Sequence, residues 1–483
     1  MKHGYIADIG LEVHAELLTQ SKMFCSCPVV DLTRAEPNTA VCPVCAGLPG
    51  TLPVVNEQAV EDAIRVALSL DCTIAHTSQF ARKNYFYPDL PKGYQISQYD
   101  LPLAECGILP IRTDAGWLNI RIRRVHMEED TAKLTHIHDP DGENFSLVDL
   151  NRAGIPLLEI VSEPDMHTIE QVRAYTRMLR RLLQYLGVNS GNLEKGVIRF
   201  EANVSLRPAG TDALGTRVEI KNLNSFRSMT TAIVYELERQ AKILDSGGEI
   251  SQQTLGWDET REQTFSQRSK EEAHDYRYFP EPDLPPLKIN EEQIDALRES
   301  IPERPDRRFR RFVADFGLVA YQADLLTVEK AVADFFEATL THMASPEPGL
   351  AANWILGELF GLLNATGESI ADSRISPAGM GELLDLLQED NITAASAKII
   401  LSQMVETGKN AAEIMRESDL GQVSDPEALA DILQEIMAEN PEEVEAYRQG
   451  KTVLRAWFFG QVMQRTSGRA DPRVVQALLD DML

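Results

Sequence analysis

The architecture of this chain is first visible in Gly10-Leu-Glu-Val-His-Ala-Glu16, where apolar and polar side chains alternate. In a β-strand alternate residues share one face, so Glu12 and His14 point the same way while Leu11 and Val13 point the other way. The segment therefore predicts a strand that places a carboxylate and an imidazole together, on the face turned away from its apolar side chains.

Two later segments carry carboxylates where a chain normally has core residues: His126-Met-Glu-Glu-Asp130 and Leu157-Leu-Glu-Ile-Val-Ser-Glu-Pro164. Glu159 is hard to expose within such an apolar strand and costly to bury alone. A divalent metal would remove that cost, because several carboxylates and an imidazole can share one cation. Mg²⁺ with carboxylates and water is also the usual partner of a nucleoside triphosphate. The alternative is that each glutamate faces solvent on a half-buried strand.

The bulk composition indicates a protein of several domains. A chain of 483 residues is too long for one core. The formal net charge of −27 argues against non-specific nucleic-acid binding, which needs a positive field, but leaves room for a local basic patch. The sequence has no apolar run long enough to span a membrane and no apolar signal-peptide core near its start, so we expect a cytoplasmic protein without membrane partners.

Four of the six cysteines form two close pairs, Cys25 with Cys27 and Cys42 with Cys45. Fourteen residues separate Cys27 from Cys42, a spacing typical of a tetrahedral four-cysteine zinc site. Disulfides are the alternative, which a reducing cytoplasm disfavours. With four thiolates bound, the zinc would have no open position and would be structural, holding the 25–45 loop beside the strand of Glu12 and His14.

Residues 1–290 are predicted to form one α+β catalytic domain built on an antiparallel sheet. Strand-like runs alternate there with segments whose apolar residues recur at helical spacing, and Thr168 is placed to cap one helix. The predicted strands are 5–14, 117–125, 146–150, 157–161, 198–206 and 216–220. The predicted helices are 57–70, 169–186 and 229–244.

A proline-rich stretch at residues 278–287 is the strongest sequence signal of a domain boundary. Beyond it the pattern is helical, as at 327–340, 351–363 and 378–387, and predicts an all-helical domain at 291–406. An Ala-rich helix followed by Gly408 marks a softer change, after which residues 407–483 are predicted to form a small helical tail domain.

Several familiar catalytic motifs are missing from the sequence. Gly450-Lys-Thr452 resembles the end of a phosphate-binding P-loop, but position 445 is Glu where that motif needs glycine. The sequence has no Gly-x-Ser-x-Gly elbow and no amidase serine–lysine pattern. A nucleotide would therefore be held without a P-loop, and glutamine would have to be hydrolysed by another chain.

Nine longer motifs together resemble the B subunit family of the bacterial aspartyl/glutamyl-tRNA amidotransferases. The match covers the first domain and continues more weakly through Gly460-Gln-Val-Met463 in the tail. The motifs are Gly10-Leu-Glu-Val-His14, Arg82-Lys-Asn-Tyr-Phe-Tyr-Pro88, Lys92-Gly-Tyr-Gln-Ile-Ser-Gln98, His126-Met-Glu-Glu-Asp130, Asp149-Leu-Asn-Arg-Ala-Gly-Ile-Pro156, Leu158-Glu-Ile-Val-Ser-Glu-Pro-Asp165, Ala202-Asn-Val-Ser-Leu-Arg-Pro208, Lys221-Asn-Leu-Asn-Ser-Phe226 and Asp275-Tyr-Arg-Tyr-Phe-Pro-Glu-Pro-Asp283.

The resemblance implies a reaction in which ATP and Mg²⁺ convert the side-chain carboxylate of Glu-tRNA(Gln) or Asp-tRNA(Asn) to an acyl phosphate. Ammonia, released from glutamine by an amidase A subunit and led through a tunnel, then displaces phosphate. A small C subunit ties the complex together, and the tail binds the outer corner of tRNA. The first domain of the family is similar in fold to glutamine synthetase, which activates a carboxylate in the same way.

The resemblance also implies roles for individual residues. Glu12, His14, Glu129 and Glu159 are expected to hold Mg²⁺, with Glu129 chosen over Glu128 because only one of two adjacent strand residues can face the metal. Glu129, Glu128 and Lys83 are the expected catalytic residues, and Glu128, as the acid expected to face away from the metal, could line the ammonia path. The residues expected to contact ATP or the tRNA end are Lys92, Arg152, Arg207, Lys221, Tyr85 and Tyr87.

Arginines interleaved with phenylalanines at residues 307–312 suit phosphate contacts in the helical domain, and a solvated helix face is the alternative. The tail adds a basic set on an acidic chain: Lys451, Arg455, Arg465, Arg469 and Arg473. Two other functions compete with the main hypothesis, a stand-alone ammonia ligase acting on a free amino acid and a tRNA-binding chaperone without chemistry.

Overall fold

The structure is a computed structural model that describes residues 4–137, 142, 144–266, 276–418 and 420–483, apart from the side chain of Asn222. Asp275, which opens the last quoted motif, lies outside the described residues. The chain divides into two compact units, Met1–Asp306 and Arg307–Leu483. The predicted boundaries at 290 and 406 stay predictions. No helix in the described ranges combines the length and apolar character needed to cross a bilayer.

The first unit is built around a large sheet. Its described strands are β1 (Tyr5–Glu16), β2 (Thr73–Ile74), β3 (Thr77–Ser78), β4 (Ala81–Asn84), β5 (Tyr94–Ser97), β6 (Ala104–Thr113), β7 (Gly116–Glu129), β8 (Lys133–Ile137), β9 (Phe145–Asp149), β10 (Pro156–Ser162), β11 (Ile198–Pro208), β12 (Val218–Leu223), β13 (Gln253–Asp258), β14 (Gln263–Ser266), β15 (Phe279–Pro280) and β16 (Leu287–Lys288). Its described helices are α1 (Glu57–Ser69), α2 (Ile169–Tyr185), α3 (Phe226–Asp245) and α4 (Glu291–Glu299).

Nine of these described strands form the main sheet in the order β14-β13-β12-β11-β1-β10-β7-β6-β2. Neighbouring strands run antiparallel, as the sequence predicts, except for the parallel pair β12 and β13. The amino-terminal strand β1 therefore lies at the centre, between β10 and β11. Smaller sheets, within the described ranges, join β4 to β5 and β15, β3 to β16, and β8 to β9.

The alternation in β1 separates the core from the polar face. Leu11, Val13 and Ala15 are at most 1% exposed and lie in the main hydrophobic core. Helix α2 packs against β6 and α3 against β11, which covers that face of the sheet. Each fully buried Leu or Val contributes roughly 1.5–3 kcal/mol, so the apolar face fixes which way the polar side chains of β1 must point.

The three helices predicted in this unit are confirmed, with small differences at their ends. Thr168 caps α2 as expected, since its Oγ1 accepts a hydrogen bond from the Gln171 amide at 3.2 Å. The third helix begins earlier than predicted, at Phe226, because the Ser225 hydroxyl accepts from the Ser228 amide at 3.0 Å. Strand β7 is longer than predicted and carries the acidic segment to Glu129 within the sheet.

The proline-rich stretch at 278–287 packs into the first unit. Phe279 and Pro280 pair with β4, Leu287 pairs with β3, and Leu284 is buried in the main core. The buried Glu281 accepts hydrogen bonds from Arg82 at 2.7 and 2.8 Å. Prolines are tolerated here because these are short edge strands.

The second unit is helical, in agreement with the predicted pattern. Its described helices are α5 (Pro305–Ala314), α6 (Ala320–Leu326), α7 (Lys330–His342), α8 (Pro348–Asn353), α9 (Phe360–Thr366), α10 (Pro377–Gln388), α11 (Ala394–Thr407), α12 (Ala411–Glu417), α13 (Pro426–Glu439), α14 (Pro441–Arg448), α15 (Leu454–Arg465) and α16 (Pro472–Met482). A π-helical segment, Trp354–Leu359, interrupts the single helix predicted at 351–363. One hydrophobic core runs from Phe309 to Leu420 and another from Leu429 to Leu479.

Candidate active site

The polar face of the main sheet carries a row of side chains that crosses four strands. In the strand register, His126 of β7 lies opposite Glu159 of β10, and Glu159 lies opposite His14 of β1. His14 in turn lies opposite Arg199 of β11. Side chains directly opposite each other in adjacent strands are about 5 Å apart, so the sheet brings together residues from four distant segments.

His14, Glu128 and Glu159 form a compact group in which one possible ligand atom from each lies within 4.8 Å of the others. His14 Nε2 is 3.3 Å from Glu159 Oε2. Glu128 is fixed from β5, because Ser97 Oγ donates to it at 2.6 Å and Gln95 Nε2 at 3.2 Å. Two carboxylates and an imidazole at this spacing are a suitable donor set for a divalent cation.

In this group the attraction between opposite charges shifts the pKa values more than burial does. Burial opposes protonation of His14, yet Glu159 raises the pKa of the imidazole to about 9. Burial would likewise raise the pKa of Glu159, but His126 and His14 hold it well below its usual value. Burial and Glu159 oppose ionisation of Glu128, while His126 and Lys83 lower its pKa to about 2. The two carboxylates are therefore ionised and held by cations, a role that a metal also fills.

Glu129 does not join this group, which corrects the prediction that it faces the metal in place of Glu128. Adjacent residues on β7 point to opposite faces, and Glu128 has the face of His14. Glu129 Oε1 instead accepts a hydrogen bond from the Ile96 amide at 2.9 Å and pairs with Lys92. Alternation shows that one of the two acids faces the group, but which one depends on the register of β7 against β10.

Glu12 belongs to a neighbouring group, which corrects the prediction of one ligand set shared with His14. Glu12, Glu201 and Glu219 offer carboxylate oxygens within 4.8 Å of one another. Lys221 Nζ lies 3.2 Å from Glu201 and 3.2 Å from Glu219. Burial and then repulsion between the carboxylates raise the pKa of Glu12 to about 7. The polar face thus holds two adjacent acidic groups, each with its own cationic partner.

A cavity of about 1050 Å³ is lined by His14 and Glu128 of the first group and by Glu201 of the second. All six residues line a smaller cavity of about 220 Å³. Five of the residues predicted to be catalytic or to contact the nucleotide line the larger cavity: Glu128, Lys83, Lys221, Tyr85 and Tyr87. Burial opposes the charge on Lys83, but nearby Glu128 raises the pKa of its ammonium group. Tyr87 is exposed at the rim, so it offers a ring to a ligand that enters the cavity.

Three other residues predicted to contact ATP or the tRNA end do not line the larger cavity. Lys92 pairs with Glu129 and lines a separate cavity of about 270 Å³. Arg152 donates to Thr131 O at 2.9 Å and Ala132 O at 2.8 Å, and its Nε lies 3.8 Å from Asp130 Oδ2, so it contacts the cavity wall from behind. Arg207 pairs with Asp8 at 2.8 Å and is six residues from Glu201 along β11, about 20 Å away. Both arginines lie inside matched motifs, but membership of a motif does not determine the distance from the site.

Arg199 and Asp130 are cavity-wall residues that sequence reasoning missed. A guanidinium nitrogen of Arg199 is 2.8 Å from Asp130 Oδ2, and another is 3.5 Å from Glu16 Oε1. Burial and then repulsion from Asp130 raise the pKa of Glu16 to about 8. Alternation could have found them, because Asp130 follows Glu128 by two residues and Arg199 precedes Glu201 by two.

The four paired cysteines converge as their spacing predicts. Their sulfur atoms lie within 4.8 Å of one another, and Cys45 Sγ is 3.9 Å from Cys27 Sγ and 3.9 Å from Cys42 Sγ. All six cysteines lie in described parts of the chain and none forms a disulfide. Sulfurs in a tetrahedral zinc–thiolate site are roughly 3.8 Å apart, so the cluster fits a bound metal.

Lys22 supports this cysteine cluster from inside the protein, a contact that the sequence did not suggest. Its side chain is fully buried, and Nζ donates to Ala40 O at 2.8 Å and Leu150 O at 3.1 Å. The same Nζ lies 3.6 Å from Cys45 Sγ. Hydrogen bonding from Cys25, together with the Lys22 charge, lowers the pKa of Cys45 to about 4, so its thiolate is available as a ligand.

Basic residues of the second unit are partly used in internal ion pairs. Arg308 is buried and pairs with Asp334 and Glu337, and Arg311 NH1 lies 2.6 Å from Glu337. Phe309 is in the core. These two arginines stabilise the helices, and the phosphate contacts predicted for residues 307–312 stay a prediction. In the tail, Arg455 pairs with Asp480, Arg465 with Glu439, and Arg473 with Asp390, at exposed positions.

Comparison with known families yields two matches along this chain. The family described as "GatB/GatE catalytic domain" matches residues 7–295. The family described as "GatB domain" matches residues 334–483. The first match covers the sheet, both acidic groups and the cysteine cluster, so it includes the whole candidate site.

Full-length relatives share one description, the B subunit of aspartyl/glutamyl-tRNA(Asn/Gln) amidotransferase. The protein of Thermodesulfovibrio yellowstonii is 48% identical over 479 residues, 99% of either chain. That of Moorella thermoacetica is 49% identical over 479 residues, 99% of this chain and all of the relative. That of Myxococcus xanthus is 50% identical over 475 residues, 98% of either chain.

Proposed function

The chain belongs to the family of aspartyl/glutamyl-tRNA(Asn/Gln) amidotransferase B subunits, and we propose that its first unit performs the ATP-dependent step of that reaction. It is an enzyme subunit of a tRNA-dependent amidotransferase. The proposed substrates are ATP and a misacylated tRNA, Glu-tRNA(Gln) or Asp-tRNA(Asn), whose side-chain carboxylate becomes an amide.

The proposed reaction has two steps. A carboxylate oxygen of the esterified amino acid attacks the γ-phosphorus of ATP, a P–O bond to ADP breaks, and an acyl phosphate forms. Ammonia then attacks the acyl carbon, inorganic phosphate leaves with its oxygen, and the amide remains after loss of a proton. Activation is needed because a carboxylate does not react with ammonia directly, whereas phosphate is a good leaving group.

The single observation that supports this proposal best is the pair of adjacent acidic groups, one largely buried and one half-buried, whose six residues line one cavity. His14, Glu128 and Glu159 form one group, and Glu12 belongs to the other. Lys83 lies on the wall of the cavity. Phosphoryl transfer is catalysed mainly by positioning and by charge stabilisation. Acids that collect divalent cations, beside ammonium groups, supply both.

His14, Glu128 and Glu159 would hold Mg²⁺, with the second acidic group of Glu12, Glu201 and Glu219 able to hold another. Bound magnesium would neutralise charge on the phosphates and on the transferred phosphoryl group. The donor set fits this role because its carboxylates are ionised and its oxygens converge. In place of Glu129, Glu128 now has the proposed ligand role.

The lysines of the cavity have a proposed role that follows from their charge. Lys83 and Lys221 would contact the phosphates of ATP, because both ammonium groups stay charged beside carboxylates. Tyr85 and Tyr87 would stack on the adenine of ATP or on the terminal base of the tRNA. Glu129 and Lys92, on the opposite face of β7, would line the path by which ammonia arrives.

The fold of the first unit is proposed to be related to that of glutamine synthetase. The support is architectural, since an antiparallel sheet presents carboxylates and histidines on one face and covers the other with helices. Such an arrangement suits activation of a carboxylate by ATP, the step the two enzymes would share.

The proposed partners follow from what the chain lacks and from the description of its relatives as B subunits, which implies a complex with further subunits. An amidase A subunit would release ammonia from glutamine, because no amidase pattern is present in this sequence. A small C subunit would tie the complex together, the helical unit and tail would bind the tRNA, and the complex would work in the cytoplasm.

The cysteine cluster is proposed to hold one structural zinc ion. Zinc would use all four thiolates and leave no position for water, so it would stabilise the loop without joining the reaction. The loop lies beside the smaller cavity, where Cys25 and Cys45 share a wall with Lys92 and Glu129. Elemental analysis should find about one zinc per chain, and a folded, metal-free protein with four reactive thiols there would contradict the site.

The proposed activity is tested with the assembled complex, ATP and ammonium. Glutamyl-tRNA(Gln) should be converted to glutaminyl-tRNA with release of ADP and phosphate, while free glutamate should not react. Glu128→Gln should bind the charged tRNA normally but lose ATP consumption by at least about 100-fold, because one metal ligand loses its charge. His136 is exposed, so His136→Gln is the control and should behave as the unaltered complex does.

The two competing functions predict different results in the same assay. A stand-alone ligase would consume free glutamate, and turnover of the free acid alone would overturn the proposal. A chaperone without chemistry would show no ATP consumption with charged tRNA. ATP consumption that Glu128→Gln leaves unchanged would remove the role given to the His14 group.

A further inference from the structure

His126 is buried at the β7 end of the polar row, next to the proposed metal ligands and outside their set. Its side chain is 2% exposed. Its Nε2 atom lies 3.3 Å from Glu128 Oε1 and 3.1 Å from Glu159 Oε2. One ring nitrogen therefore contacts a carboxylate of each of the two acids that the proposed function assigns to Mg²⁺.

The position of His126 follows from the sheet itself. It lies directly opposite Glu159 in the β7–β10 register, and it shares a face with Glu128 because the two are two positions apart on β7. Neither contact depends on a loop. A side chain at position 126 of β7 can therefore contact both carboxylates at once.

The hydrogen-bonding chemistry assigns a proton to Nε2. Both neighbours of that atom are carboxylate oxygens, of Glu128 and Glu159, and a carboxylate oxygen accepts hydrogen bonds. The other ring nitrogen, Nδ1, is buried and has no hydrogen-bond partner. The ring therefore donates its Nε2–H to the two carboxylates, and no hydrogen bond at Nδ1 competes with these contacts.

We propose that His126 is a positioning residue that holds Glu128 and Glu159 in the geometry needed to bind the metal. This inference rests on the proposed function, since it concerns the same metal group. The two carboxylates offer oxygens within 4.8 Å of each other, and like charges at that distance repel. A shared donor offsets this repulsion and keeps both side chains aimed at one point before the cation arrives.

Other contacts to these acids do not replace this bridge. Ser97 and Gln95 hold Glu128 from β5 without touching Glu159. His14 contacts Glu159 at 3.3 Å, but as a proposed ligand it would turn to the metal. Loss of a hydrogen-bonding partner behind metal ligands typically weakens metal binding by about 10–100-fold, so a loss in this range is expected without His126.

The test measures Mn²⁺ binding to the full-length chain by electron paramagnetic resonance, with Mn²⁺ as the probe for Mg²⁺. His126→Leu should weaken the affinity for Mn²⁺ by about 10–100-fold. His126→Gln, whose amide nitrogen reaches about as far as Nε2, should stay within a few-fold of the unaltered chain. His126→Asn is too short to reach both acids and should resemble His126→Leu. The exposed His136→Gln should change nothing.

Glu128→Gln separates failure of this inference from failure of the proposed function. If Glu128→Gln weakens Mn²⁺ binding and the His126 variants all bind as the unaltered chain does, the bridging role is wrong and the metal group stands. If Glu128→Gln has no effect, the proposed metal group itself is wrong. If His126→Leu fails to fold, the Gln and Asn variants carry the comparison, and equal affinities for these two would overturn the inference.

Discussion

His14 links the stability of the first unit to pH. The folded-state pKa of the imidazole is about 9, above its ordinary value of 6.5, mainly because Glu159 overcomes burial. A raised folded pKa stabilises the protein fully below about pH 6.5, and the stabilisation is lost as pH rises through 9. Glu16, with a pKa raised to about 8, has the same sign between pH 4.5 and 8. Without added divalent metal, we expect the melting temperature to fall between pH 6.5 and 9.

His14→Gln is the control for this dependence. It removes one titrating group and leaves Glu16, so the fall in melting temperature across the same pH range should be smaller. A melting temperature that rises toward pH 9, or a slope that His14→Gln leaves unaltered, would contradict the pairing of His14 with Glu159.

Lys22 gives a second prediction at the scale of one residue. Lys22→Met keeps most of the side-chain volume but leaves two carbonyls and the Cys45 sulfur without their buried donor. The free energy of unfolding should fall by about 2–4 kcal/mol, since each buried unsatisfied group costs about 1–3 kcal/mol. Chemical denaturation measures this change. Lys195→Met, at an exposed ion pair with Asp31, should cost less than about 1 kcal/mol.

Strand β7 is the element whose two faces separate two proposed tasks. Glu129→Gln should leave metal binding within about two-fold of the unaltered chain, because Glu129 points away from His14 and Glu159. It should instead release Lys92 and alter the reaction that uses ammonia from glutamine. Metal binding by electron paramagnetic resonance and amidation with glutamine or with free ammonium distinguish these effects. A loss of metal binding equal to that of Glu128→Gln would show that the two faces are not independent.

Much of β1 and β7 could be predicted from the sequence, because alternation follows directly from strand geometry. The choice between Glu128 and Glu129 could not, since both continue one strand and the partner strand decides which side of it faces the group. The π-helical segment at Trp354–Leu359 was also beyond prediction, because the apolar residues at 351–363 do not distinguish i→i+5 from i→i+4 hydrogen bonding. The cysteine cluster was predictable because metal ligands keep a fixed local spacing.

For the whole molecule, a shortened chain tests the division of labour between catalysis and tRNA binding. Ala411 and Ile414 belong to the core that starts at Phe309, so a cut at residue 406 would open that core. A chain that ends at Leu420 retains it and removes the core of residues 429–479. We expect tRNA affinity to fall by about ten-fold or more while metal binding by the first unit persists. Filter binding and Mn²⁺ titration provide the two readouts, and unaltered tRNA affinity would contradict the tail assignment.

The proline-rich stretch shows why the large-scale organisation was harder to predict than its elements. Prolines usually mark linkers, but here Leu284 enters the core and Glu281 is buried against Arg82. The contacts that hold the stretch come from residues about 200 positions earlier in the chain, which no local pattern records. A matched motif is also a local pattern, so it does not show how far Arg207 lies from the cavity in the folded chain.

The central place of β1 also has a consequence for synthesis. Strand β1 is made before β10 and β11, its partners in the sheet, so it waits until residue 208 has been made. At about 5–20 residues per second, this delay is roughly 10–40 s. During that time an alternating apolar strand with both edges unpaired is available to other nascent chains, which makes the growing polypeptide a natural client for chaperones.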